Sequence, residues 1–169
     1  QVQAYFEKRL EKIVNAKGKK MMGWDELLEG GVNKTTAIMS WRGSKAGIKA
    51  SSEGHYVVMS PNENTYIDLM QGDESTDPKV YKNLRLNQTY KFDPVPEGAN
   101  AKYILGGQAN LWTEQIYNLR QAEYMTWPRG FAVAESVWSP QKNKNWNNFV
   151  AKTEVHFNRL NYAQTKYSP

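Results

Sequence analysis

Apolar side chains recur along this chain with two alternating periods. From Gln1 to Lys17, Phe6, Leu10, Ile13 and Val14 return at helical intervals among Glu7, Lys8, Arg9, Glu11 and Lys12, which predicts a helix packed on one side and stopped at Gly18. The step Lys20-Met21-Met22-Gly23-Trp24 is too short for a second helix after a glycine stop and predicts a buried strand. Thr36 to Trp41 predicts another, followed by Ser44 as a cap and a small-residue helix running to Gly54. Tyr56-Val57-Val58-Met59-Ser60 is the clearest strand, and Pro61, with no N–H for the ladder, ends it.

Between about Gly72 and Asn100 the period is lost. Asp77-Pro78, Asp93-Pro94-Val95-Pro96 and Glu97-Gly98 supply turn chemistry, so this stretch predicts an extended excursion with at most short helices. Tyr103-Ile104-Leu105-Gly106-Gly107 restarts a strand. Arg120 to Trp138 predicts a helix in two parts, divided where Pro128 interrupts the ladder, and Trp146, Phe149, Thr153, Phe157 and Leu160 stripe a final helix. Trp127, Trp138 and Trp146 are assigned to packing.

Alternating strand, loop and helix implies an α/β fold with parallel strands, because right-handed crossovers return the chain to the same end of the sheet. One domain over residues 1–169 is the expectation from length. Every strand then exits on one face, where Trp24, Trp41, Tyr66, Asp68, Trp112 and Glu114 are expected to converge; sites of parallel α/β folds are built there. Aromatic faces stack on the carbon-hydrogen face of a pyranose, while carboxylates accept hydrogen bonds from its hydroxyls. A lone tryptophan is more often core packing than a ligand wall, and for Trp24 and Trp41 both readings stay open. Repetition of the theme at four strand ends favours a carbohydrate site.

Composition removes competing classes. With no cysteine and two isolated histidines, His55 and His156, neither a disulfide framework nor a metal cage is expected, and no cofactor is implied. Apolar runs are far shorter than the roughly 18 residues of a membrane span, so no membrane partner is expected. The net charge of +5 is the excess of 22 Lys and Arg over 17 Asp and Glu, and the basic residues are dispersed, which disfavours a nucleic-acid partner. The opening Gln1-Val2-Gln3 has neither the basic start nor the apolar stretch of a targeting segment, so none is expected, and the chain is expected to be cut from something longer.

Four segments carry a resemblance that covers nearly the whole chain. They are Gly23-Trp24-Asp25-Glu26; Ser60-Pro61 through Tyr66-Ile67-Asp68; Gly106-Gly107-Gln108-Ala109-Asn110-Leu111-Trp112-Thr113-Glu114; and Trp127-Pro128-Arg129 with Ala132-Val133-Ala134-Glu135-Ser136-Val137-Trp138. In order and spacing the set resembles family 20 β-N-acetylhexosaminidases. The resemblance implies a TIM-barrel fragment, the C-terminal half of a catalytic (β/α)8 barrel comprising about strands 5–8 with their helices. It implies that Trp24, Trp41 and Trp112 wall the pocket around the N-acetyl group and sugar ring. Tyr66 would donate to the acetamido oxygen, and Asp68 and Glu114 would bind sugar hydroxyls.

Such enzymes hydrolyse terminal non-reducing N-acetylhexosamine residues with retention, the substrate's acetamido oxygen attacking the anomeric carbon while a glutamic acid protonates the leaving oxygen. That glutamate and its neighbouring aspartate lie in a His-x-Gly-Gly-Asp-Glu motif at the end of the fourth strand, which this sequence does not contain. No catalytic residue is therefore assigned here, and the fragment is expected to be inactive alone. Asp25-Glu26 lacks the preceding histidine and glycines and is read as a helix start, where carboxylates meet unpaired amides.

A non-catalytic carbohydrate-binding module is the alternative reading of the same aromatic platform, and a basic single-strand-binding domain is the third. Expected partners are an N-acetylhexosamine-containing glycan, the missing N-terminal half of the barrel and, through unpaired sheet edges, a second copy of the fragment. By the resemblance, the parent protein is secreted, periplasmic or lysosomal.

Overall fold

A computed structural model describes residues 2–77 and 79–169. The elements run α1 (Val2–Ala16), β1 (Met22–Trp24), α2 (Leu27–Gly30), β2 (Ala37–Ser40), α3 (Lys45–Ser52), β3 (Val57–Met59), α4 (Asn62–Thr65), α5 (Leu86–Tyr90), β4 (Ile104–Gly107), α6 (Leu119–Thr126), α7 (Arg129–Trp138) and α8 (Trp146–Tyr162), with short 3-10 turns at Ala101–Tyr103 and Gln141–Asn143. The chain divides into two compact units, 1–62 with 94–108, and 63–93 with 109–169.

The first unit holds a four-stranded parallel sheet in the order β1-β2-β3-β4. Alternation along the strands buries Ile38 and Ser40 on β2 and Val57 and Met59 on β3. Complete burial of Ile38, Val57 and Met59 stabilises the unit by roughly 1.5–3 kcal/mol per side chain. Helix α3 lies close on this layer, since a Cβ at Gly47 would collide with Met59 Sδ and Ser40. Ser44 precedes α3, as expected, but makes no side-chain cap. The orphan N–H of Gly47 is instead met by Ser40 Oγ at 2.8 Å, reached across from β2.

Helix α1 forms where its period predicts, yet its apolar stripe faces outward. Phe6, Leu10 and Ile13 are 60%, 40% and 53% exposed, whereas Glu7 and Glu11 are buried. The reason is a loop with donors to satisfy: Glu11 accepts from the Asn33 backbone N–H at 3.1 Å, from Asn33 Nδ2 at 2.6 Å and from the Thr36 hydroxyl. A carboxylate given three donors is retained inside, and the helix turns its polar face to the unit.

The second unit is helical around Leu69, Met70, Leu84, Tyr90, Phe92, Met125, Ala132 and Phe149. Pro128 splits α6 from α7 as its missing N–H requires, and the Trp127–Pro128 peptide is cis. Arg129, Ala132, Val133 and Ser136 form the buried face of α7 at helical spacing. Trp138 falls two residues beyond that face and is 90% exposed, so its assignment to packing is corrected. Trp127 does pack, 4.4 Å from Phe131 between ring centroids, and Trp146 meets Tyr90 edge-on at 5.3 Å.

Candidate functional site

In the first unit Trp24 is the last residue of β1 and Trp41 follows β2 by one residue, both half-buried at the C-terminal edge of the sheet. The acids between them bond to the exit of β2. Asp25, 1% exposed, accepts from the backbone N–H groups of Trp41 and Arg42 at 3.0 and 3.1 Å and from Arg42 Nε at 2.5 Å. Glu26 accepts from the Trp41 indole N–H at 3.0 Å. Helix α2 does start just after them, but Glu26 makes no cap hydrogen bond, so the expected helix-start role is corrected. Both carboxylates fix the exit of β2 and the Trp41 ring.

The second unit brings Tyr66, Asp68, Trp112 and Glu114 together. A parallel bridge between Tyr66 and Asn110 aligns their segments: Ile67 N–H donates to Asn110 O at 2.8 Å, and Asn110 N–H donates to Thr65 O at 2.9 Å. Buried Tyr66 and 40% exposed Trp112 then stand 6.0 Å apart between ring centroids, tilted by 59°. The Asp68 carboxylate accepts from the backbone N–H of Trp112 and from its own. Its Oδ1 is buried with no hydrogen-bond partner among the described residues. Burial pushes the Asp68 carboxyl above its ordinary value; those backbone N–H groups and Arg129 oppose the rise, and Glu114 adds to it. Glu114 is exposed.

Arg129, whose segment carried the resemblance without a role for the side chain, organises this cluster from below. It is fully buried and donates from Nη1 to the carbonyls of Leu69 and Leu84 at 2.7 and 3.0 Å, and from Nη2 to those of Ile67 and Met125 at 2.5 and 2.8 Å. Burial lowers its pKa to about 9, against the attraction of Asp77 and Asp68, so it is charged at neutral pH. The carbonyls on both sides of Asp68 are thus tied to one rigid fork. The signal for this was an arginine among Phe131, Ala132 and Val133, where a charge persists only with partners.

Chemically, the cluster presents the Trp112 ring, backed by buried Tyr66, beside two acceptor-only carboxylates, one with an open lone-pair position. That combination suits a hydroxylated ring with an apolar face. Among the described residues, no group of three or more His, Cys, Asp or Glu is placed to hold a metal ion, and no helix is long and apolar enough to cross a membrane.

Solved structures define the fold class. An exo β-N-acetylglucosaminidase from Vibrio harveyi, solved in complex with N-acetylglucosamine, superposes with a TM-score of 0.90 at 31% identity, covering 99% of this chain and 27% of that one. The parallel sheet and its helices are a TIM-barrel fragment of the α/β class.

Among curated relatives, a β-hexosaminidase of Porphyromonas gingivalis is 37% identical over 172 residues, 99% of this chain and 22% of the relative. One from Vibrio furnissii is 32% identical over 143 residues, 80% of this chain and 23% of the relative. Residues 1–141 match the glycosyl hydrolase family 20 catalytic domain, and the chain belongs to that family. It spans under a quarter of the length of these two relatives.

Proposed function

We propose that this chain supplies the sugar-binding wall of a β-N-acetylhexosaminidase that hydrolyses terminal non-reducing N-acetylhexosamine by substrate-assisted retention. The observation that carries the reading is the grouping of Tyr66, Asp68, Trp112 and Glu114 in the second unit, with the Tyr66 and Trp112 rings 6.0 Å apart and Asp68 bonded to the Trp112 backbone N–H. In this reading Trp112 stacks on the sugar, Asp68 and Glu114 accept from its hydroxyls, and Tyr66 donates to the acetamido oxygen. In the first unit, Glu26 holds the Trp41 indole in one orientation.

General acid catalysis needs a donor within reach of the leaving oxygen. The Asp-Glu pair that serves in this family is not in the sequence, and Asp25-Glu26 is consumed by Trp41 and Arg42, so the chain alone binds sugar without cleaving it. Its complement is the rest of the barrel. Support comes from the exposed stripe Val2, Phe6, Leu10 and Ile13 on α1 and from β1 and β4 being the outer strands of the sheet.

The test is paired. The pure chain is expected to bind N-acetylglucosamine, weakened by Trp112→Ala, and to leave a nitrophenyl N-acetylglucosaminide unhydrolysed. Turnover by the chain alone would overturn the assignment of the acid pair to another segment, and sugar binding indifferent to Trp112 would overturn the site.

A further inference from the structure

Asp68 is followed by a segment that returns to run beside it. Met70 and Asn83 form a parallel bridge, with Met70 N–H donating to Lys82 O at 3.2 Å and Leu84 N–H donating to Met70 O at 2.7 Å. Two residues before the bridge on one segment stands Asp68, and two residues before it on the other stands Tyr81. The pairing is held on both sides: Asn83 Nδ2 donates to Gly72 O at 3.0 Å, and Arg129 Nη1 bonds the carbonyls of Leu69 and Leu84 together. The bridge therefore brings the Tyr81 segment beside the Asp68 segment by backbone contacts that owe nothing to the Tyr81 side chain.

That side chain is 74% exposed. A ring so open gains little from packing, so stability does not account for it. It lies in the field of the cluster as well: with desolvation as the leading cause, the Asp68 and Glu114 carboxylates raise the pKa of its phenol above the ordinary value. The hydroxyl keeps its proton at neutral pH and remains a donor.

The two carboxylates can only accept hydrogen bonds. A sugar hydroxyl that gives its proton to one of them still has lone pairs to fill, and an adjacent donor completes it. We infer that Tyr81 is a further substrate contact, its hydroxyl donating to a ring hydroxyl of the N-acetylhexosamine that Asp68 and Glu114 accept from, and its ring flanking that edge of the sugar. This rests on the sugar-site reading above and adds to it a specificity-determining residue supplied by the excursion after Asp68.

The experiment titrates the wild-type chain, Tyr81→Phe, Tyr81→Ala and Trp112→Ala with N-acetylglucosamine, following binding by NMR shift changes and folding by thermal melting. Because Tyr81 is exposed, both of its variants are expected to melt with the wild type. Tyr81→Phe is expected to weaken binding about tenfold, the loss of one hydrogen bond, and Tyr81→Ala further. Binding that falls in Trp112→Ala but is unchanged in Tyr81→Phe and Tyr81→Ala overturns the Tyr81 contact and leaves the site standing. Binding absent from the wild type, or indifferent to Trp112, removes the site and the Tyr81 contact with it.

Discussion

The chain carries two acid pairs with opposite fates. In the first unit, Asp25 accepts from two backbone N–H groups and a guanidinium, and both oxygens of Glu26 face one indole N–H. In the second, Asp68 keeps a buried oxygen without a partner among the described residues while burial lifts its pKa, and Glu114 stands exposed. A carboxylate with both oxygens engaged acts as scaffold. One that is desolvated yet incompletely bonded is held ready for a ligand, at some cost to stability. The sequence already set Asp25-Glu26 apart from the catalytic motif, and hydrogen bonding gives the pair its structural role.

The largest effect is expected from removing what holds the second pair in place. Arg129→Met leaves the carbonyls of Ile67, Leu69, Leu84 and Met125 without their common donor, and should destabilise the chain by roughly 3–5 kcal/mol. Urea unfolding checks it; an unchanged midpoint would mean that the Asp68 segment stands without its fork. Asp25→Ala comes next, at about 2–4 kcal/mol, because the N–H groups of Trp41 and Arg42 lose their acceptor inside the protein. An Asp25→Ala chain as stable as wild type would erase the contrast between scaffold and ligand acids.

Which of these features the sequence discloses follows from how local each one is. The strands from Met22, Ala37, Val57 and Ile104, and the break at Pro128, come from period and proline chemistry acting over a few residues, and they were legible. The Tyr66 and Trp112 pairing was legible from the shared strand-end theme. The outward turn of Phe6, Leu10 and Ile13 was not, because hydropathy cannot register that Asn33 and Thr36 present donors to Glu11. Nor was the approach of the Tyr81 segment to the Asp68 segment, which depends on the carbonyls of Leu69 and Leu84 meeting one guanidinium from a distant helix. Both failures concern polar partners far apart in the chain, to which periodicity is blind.

The subtlest prediction separates the two acid pairs by sign. Asp68 titrates higher in the folded chain than the ordinary 3.8, so the folded state binds its proton more tightly than the unfolded state does. Its stabilising contribution is complete below that ordinary value and is lost as pH rises through the raised one. Asp68→Asn keeps an oxygen for the Trp112 N–H but removes the charge. It should therefore melt about 1–3 °C above wild type at pH 7, with the gap closing toward acid, while N-acetylglucosamine binding falls. An engaged carboxylate would behave oppositely, because losing its charge would cost donors their acceptor. If Asp68→Asn melts lower than wild type at pH 7, or the gap widens as pH falls, Asp68 is bonded as Asp25 is, and the distinction between a scaffold acid and a ligand acid fails at its central residue.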